Sequence, residues 1–324
     1  MRVIRSPEDR SWLEIAARSV TATFFHTPHW RDLVLRTYPE YRDATLGAEI
    51  GGISAVLPLL ETGRSTKGFH QHLLSTFGGC YGGIITDAPV PAERLPRIYQ
   101  GLLGQRVGSL EMIESPLGGE ARVPAGFTES PYSTHLLTLE RGWEAVEGGF
   151  SRGNRASINR GKRYGVSCRV AAGLDSYRDY HEVYLRSLSR WGKKATSRYP
   201  WRLFEAGCEL GLSLPDNMRL WLAEAEGRVL AGAWVFYWNR HAVYWHGATD
   251  EAYSSHRPAN VLHAHVIEDA CARGYLWYDF NPSGGHEGVA RFKRSFGAVE
   301  RPIRVWRYRS ASAELLTSVK GLLR

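Results

Sequence analysis

Apolar positions along the chain follow two periods, about 3.6 residues in some stretches and 2 in others, and the changes of period mark out a mixed α and β protein. Ser6-Pro7 reads as a cap and first-turn pair that opens an amphipathic helix running to about Arg18. A second helix is expected from Thr27-Pro28, with Trp30, Leu33, Val34 and Tyr38 on one side. Strands at 44–50 and 53–60 flank Gly51-Gly52, a hairpin signal. A helix at 91–105, a strand at 109–114 and a strand at 134–139 follow, then one or two basic helices over 143–163 with a break near Gly148-Gly149. After a strand at 166–171, Tyr177, Tyr180, Val183, Tyr184 and Leu188 fall at helical spacing, and another helix starts at Pro200.

The pattern then becomes strand-rich. Strands are expected at 219–225 and 229–238 around a Glu226-Gly227-Arg228 turn, and at 241–247; the all-apolar run Ala231-Gly-Ala-Trp-Val-Phe236 suits a buried central strand. A Pro258-led helix to about Arg273 leads to a strand at 275–280. Next come a glycine-bearing loop (Gly284, Gly285, Gly288), a short turn carrying Phe292-Lys293, and a further strand from about Gly297. The tail 311–324 has an amphipathic, mildly basic pattern that suits a helix docked on the protein.

Composition narrows the class. A chain of 324 residues exceeds one ordinary domain, so two cores are expected, with a boundary near 140. Cys80, Cys168, Cys208 and Cys271 are far apart and lack metal-ligand spacing, which fits a reducing cytoplasm and gives neither a zinc site nor a disulfide framework. The start of the chain has no apolar signal core, and no run of 18 apolar residues suggests a membrane span. The net charge is +8, and residues 151–200 alone hold twelve Lys and Arg against three acids, or +9. A block of that kind suits RNA, a diphosphate or an anionic surface, or is simply a solvated face.

Few stretches carry chemistry by pattern. Phe77–Gly83 is glycine-dense but lacks the order of a phosphate loop, so close packing or a bulge is expected there. His263 and His265 point about 200° apart on a helix and cannot share an ion. Ser283 lies in Pro-Ser-Gly-Gly and not in a nucleophile elbow. The stretch 274–297 stands out: a loop beside a strand end, ringed by aromatics, leading to the cation of Lys293.

Tyr278-Asp279-Phe280, then Phe292-Lys293 and Phe296-Gly297, resemble the FemABX family of peptidyltransferases, which are built from GNAT-like acyltransferase domains. Ala231-Gly232, Tyr244 with Gly247-Ala248, and the helix from Pro258 to Ala270 fall in that family's order. The resemblance covers roughly 150–300 well and 1–140 loosely. It implies an α+β fold of two tandem GNAT-like domains with mixed sheets (1–140 and 141–310) plus the terminal helix 311–324.

The resemblance also implies amide formation from an aminoacyl donor, expected to be aminoacyl-tRNA, and an amine on a peptide or phosphate-bearing acceptor, with no cofactor. Lys293 would then face the carbonyl under attack, since a fixed cation at a developing oxyanion is commonly the largest catalytic contribution, and Phe292 would exclude water. Arg190 matches an arginine that meets acceptor phosphate, with Lys193 assisting, and Tyr244 matches a tyrosine in the acceptor cleft. Glu114, Trp30 and Arg36 are further acceptor candidates, and Asn260, Arg257 and Arg155 are donor candidates.

Two departures concern the acceptor: Glu114-Ser115-Pro116 stands where the family shows Asp-Pro, and Val34 where it shows a lysine. Ser254–Asn260 lacks the glycine turn that holds the diphosphate of coenzyme A. Two alternatives stay open: an acyl-CoA-dependent GNAT N-acyltransferase of exopolysaccharide or secondary-metabolite synthesis, and a non-catalytic protein that binds RNA or an anionic surface.

Overall fold

The computed structural model describes residues 2–62, 71–75, 77–103, 107–118, 123, 125–191 and 198–311. The chain forms two compact units, Met1–Tyr132 with Pro302–Arg324, and Ser133–Arg301. The division expected near 140 thus lies at 132, and the last strand returns to the first unit, because its partners are early strands far away in sequence. Lys193 and all but the first residue of the expected terminal helix 311–324 lie outside the described residues.

The first unit contains β1 (Arg2–Arg5), α1 (Asp9–Arg18), α2 (Pro28–Thr37), β2 (Arg42–Asp43), β3 (Leu46–Ile50), β4 (Ile53–Leu57), β5 (Leu60–Glu61), β6 (Gln71–Leu74), β7 (Ile85–Thr86), α3 (Leu95–Leu102) and β8 (Val107–Ile113). Ser6 does not open α1 as expected: it has φ 52°, follows the end of β1, and the helix starts three residues later behind Glu8. One antiparallel sheet has the order β1-β3-β4-β7. In a second, β6 pairs with β8 in parallel and β8 with residues 305–309 antiparallel. Trp12, Phe24, Phe25, Trp30 and Leu33 bury the helical side, and Trp12 donates its indole N–H to the His26 carbonyl at 2.6 Å.

The second unit is entered through β9 (Phe127–Thr138) and holds α4 (Gly142–Gly148), α5 (Arg152–Arg163), β10 (Ser167–Val170), α6 (Leu174–Trp191), α7 (Trp201–Ser213), β11 (Met218–Ala225), β12 (Arg228–Trp238), β13 (His241–Thr249), α8 (Pro258–Ala272), β14 (Trp277–Asp279) and α9 (Glu287–Arg294); β15 (Val299–Arg309) leaves it. Its sheet runs β10-β11-β12-β13-β14-β9 and is mixed: β13 and β14 are parallel and the other pairs antiparallel. Every residue of β12 from Val229 to Tyr237 is buried, as its apolar run requires. On one face the Tyr180 ring of α6 covers Gly232, where a Cβ would come within 2.3 Å of it, and Trp234 lies against Gly207 of α7. On the other, α8 packs Val261, Leu262, Val266 and Ile267 into the core. Among the described residues no helix is long and apolar enough to cross a membrane.

Candidate active site

The parallel pairing of β13 with β14 ends at Val243 and Asp279. The next residues, Tyr244 on one strand and Phe280-Asn281 on the other, mark the point where the two strands part. In sheets with parallel neighbours this is a place where polar groups become available to a ligand.

Asp279 is completely buried and its carboxylate is fully engaged. Oδ1 accepts from the Thr134 hydroxyl at 2.7 Å and from the Asn281 N–H at 2.8 Å, and Oδ2 lies 3.1 Å from His241 Nε2. The bond to Asn281 closes a side-chain-capped turn, which lets Asn281 take the left-handed conformation (φ 60°) that asparagine tolerates better than most residues. That conformation presents the Asn281 carbonyl to Lys293, whose ammonium donates to it.

Lys293 is 2 % exposed. It sits on helix α9 rather than on the short turn expected, because Gly288 lies inside the helix and does not break it. Burial pushes its pKa down to about 8, with Asp279 opposing the shift. Among the described residues the Asn281 carbonyl is its one acceptor, so two N–H groups stay available for an incoming carbonyl oxygen.

The lysine lies beside an aromatic cluster centred on His263, which sequence reasoning treated only as a residue unable to chelate. The Tyr244 ring meets His263 edge-on at 4.6 Å, and Phe292 and Phe296 lie 5.4 and 5.8 Å from it. His263 Nδ1 is 2.9 Å from the Tyr278 hydroxyl. Burial, helped by the Lys293 charge, pushes the imidazole down to about 3, so it is neutral. Burial pushes Tyr244 up to about 12, and its hydroxyl occupies the space that a side chain on Gly247 would fill. Lys293, Phe292 and Tyr244 therefore gather around His263.

The remaining candidates separate. Arg190 forms an exposed ion pair with Glu251 at 2.6 Å. Arg155, a donor candidate, instead closes the end of α4 through the Gly148 and Phe150 carbonyls at 3.0 and 2.6 Å. Asn260 donates to Asn154 Oδ1 at 2.8 Å, and Asn154 donates to the Ser295 carbonyl at 3.3 Å, so it braces α8 and α5 to the end of α9. Arg257 is exposed and holds the left-handed position (φ 52°) that precedes α8.

In the first unit Trp30 is core, packed on Phe25 at 4.9 Å, and Arg36 lies on the exposed side of α2. Glu114 lines a pocket of about 450 Å³ together with Thr21, His26, Gly83, Tyr99 and Trp306. Of the basic block, Arg169, Arg178, Arg186 and Arg190 are paired with carboxylates, whereas Arg152, Arg160, Lys162 and Arg163 of α5 are exposed and have no carboxylate partner among the described residues.

Sequence reasoning gave no role to Asp279, Asn281 or His135. Asp279, a lone acid in an apolar strand, was the available signal.

A family model described as an acetyltransferase (GNAT) domain matches residues 150–294. No curated protein matches the sequence. Among solved structures, FemX superposes with a TM-score of 0.72 at 10% identity, covering 98% of this chain and 99% of that one. L-PGS from Bacillus licheniformis follows the fold with a TM-score of 0.58 at 12% identity over 98% and 97% of the two chains. A tandem GNAT protein from the clavulanic acid biosynthesis pathway does so with 0.55 at 12% identity over 95% and 98%. The GNAT-type domain over residues 150–294 marks the protein as an acyltransferase, and the chain has the tandem-domain fold that FemX displays.

Proposed function

We propose that this acyltransferase forms an amide by moving an aminoacyl group from aminoacyl-tRNA to an amine of a peptide or phosphate-bearing acceptor. The observation that carries the reading is Lys293: a buried ammonium with two N–H groups to spare, fixed by Asn281 where β13 and β14 part. Attack of an amine on an ester turns the carbonyl oxygen into an oxyanion, and a preorganised cation in a water-poor setting stabilises that charge more than it stabilises the neutral carbonyl. Arg152, Arg160, Lys162 and Arg163, exposed and without a carboxylate partner among the described residues, supply positive charge suited to an RNA backbone. The fold shared with FemX accords with the resemblance to the FemABX family noted in the sequence.

A second reading, acyl-CoA as donor, draws on the acetyltransferase family model. Against it, the turn before α8 carries Arg257 at its left-handed position. The turn is also packed against α5: a Cβ on Gly161 would come within 2.8 Å of the His256 carbonyl. A diphosphate has little bare backbone to approach there.

Binding and turnover of charged tRNA, deacylated tRNA, acetyl-CoA and a longer acyl-CoA, each at two salt concentrations, separate the two. The aminoacyl reading expects tighter binding of charged than uncharged tRNA, weakened by Arg160→Glu with Arg163→Glu. Turnover of a CoA ester, with tRNA binding unaffected by those changes, would overturn it.

A further inference from the structure

In the second unit His135, His241 and His263 are buried and His246 is half-buried beneath α6, and three of these four have evident partners. His241 meets Asp279, His246 meets the Tyr180 hydroxyl at 2.8 Å, and His263 meets the Tyr278 hydroxyl. His135 on β9 is the exception. It is 2 % exposed, and neither ring nitrogen has a hydrogen-bond partner among the described residues. Buried polar atoms are nearly always paired, so two orphaned nitrogens on one ring call for a reason.

Position supplies one. The His135 carbonyl accepts the Phe280 N–H at 2.9 Å, so the residue lies alongside the end of β14, next to the Asn281 carbonyl that holds Lys293. Two more buried polar atoms without partners belong to the same strand end, Asn281 Oδ1 and Ser283 Oγ. Both can accept from an N–H. The strand end thus offers one cation for an oxygen and several unsatisfied acceptors for a nitrogen.

Resting on the acyl-transfer reading, we propose that His135 is a catalytic residue, the base that takes the proton from the acceptor nitrogen as the amide forms. The neutral amine attacks the donor carbonyl and a C–N bond forms. The proton on nitrogen passes to a free ring nitrogen of His135, and the carbonyl–oxygen bond of the ester breaks. The proton then moves from the imidazolium to the leaving oxygen, so amine plus ester gives amide plus alcohol and His135 is restored. Lys293 cannot serve as this base while it is charged, below about pH 8. The charged groups around His135 are Lys293 and Arg294 on α9, Asp279 on β14 and Glu300 on β15; burial, helped by the two cations and opposed by the two carboxylates, holds it below the ordinary imidazole value and hence neutral.

The test uses the full chain, wild type, His135→Gln and His135→Asn, with alanyl-tRNA, lysyl-tRNA and acetyl-CoA as donors and glycinamide as acceptor. The expected result is a fall in kcat/KM of about 10²- to 10⁴-fold in both variants and loss of the acidic limb of the pH profile, which in the wild type lies below the ordinary imidazole range. Nitrogen-15 NMR of the wild-type ring, assigned through the His135 backbone resonances of the wild-type protein, should show neutral imidazole at pH 7. An imidazolium at pH 7 overturns the proposal whether or not the variants fold. Wild-type turnover that His135→Gln leaves unchanged overturns it alone, whereas no wild-type turnover with any donor overturns the acyl-transfer reading along with it.

Discussion

Replacing Lys293 with methionine should remove activity and raise stability together. The lysine pKa falls from 10.5 to about 8 in the folded protein. At about 1.4 kcal/mol per unit, holding the ammonium in this site costs about 3 kcal/mol at pH 7. Methionine keeps most of the volume and removes the charge, but it orphans the buried Asn281 carbonyl, a loss of about 1 kcal/mol. The expected net gain is about 2 kcal/mol, or roughly 4–8 °C in Tm for a unit of this size. The sign with pH follows from linkage: between about 8 and 10.5 the unfolded lysine binds a proton that the folded one has released. Wild-type stability therefore rises with pH across that window, and the gap to the variant closes. Thermal melts of both proteins at pH 7 and pH 10 measure it, and turnover at pH 7 should drop by about 10²- to 10³-fold if the ammonium stabilises an oxyanion. A variant that melts at or below the wild-type temperature at pH 7, with a gap that ignores pH, refutes the buried, charged lysine on which the mechanism depends.

Asp279→Asn removes the carboxylate that opposes the shift of Lys293, so the lysine should titrate below about 8 and the alkaline limb of the rate profile should move to lower pH; a limb that stays in place counts against the coupling. The same change breaks into a buried cluster and should lower unfolding free energy by about 3 kcal/mol in urea titrations. Gly207→Ala puts a Cβ within 2.1 Å of the Trp234 ring, which is fully buried, and should cost about 1–3 kcal/mol by the same measurement while leaving turnover per folded molecule intact. Arg190→Ala breaks only an exposed pair and should change Tm by no more than about 1 kcal/mol allows; a greater loss would show that the pair with Glu251 carries structure.

The core of the second unit was legible because its signals are local. Glu226 and Gly227 both have positive φ, the turn that a Glu-Gly pair between two apolar runs suggests. The all-apolar β12 could only be a strand buried on both faces. The division of the chain was less legible, since the return of β15 to β8 pairs Arg309 with Ser109, a contact about 200 residues apart that no periodicity records. Side-chain partners were also hidden: nothing around Arg155 announces that it would spend its guanidinium on the carbonyls ending α4.

The candidate-site residues evade pattern reading for a more specific reason. Lys293 occupies a buried position of α9, where the helical period calls for an apolar side chain, and so the helix was read as a turn. Asp279 is a charge in an apolar strand, and Asn281 adopts a backbone conformation that most residues avoid. Each breaks a local rule, and each break is offset by the next: the carboxylate of Asp279 stabilises the turn at Asn281, and the carbonyl of Asn281 receives Lys293. Such exceptions persist where function needs them and the surroundings hold them in place. The place where the rules fail together is therefore itself the strongest structural argument for where the chemistry occurs.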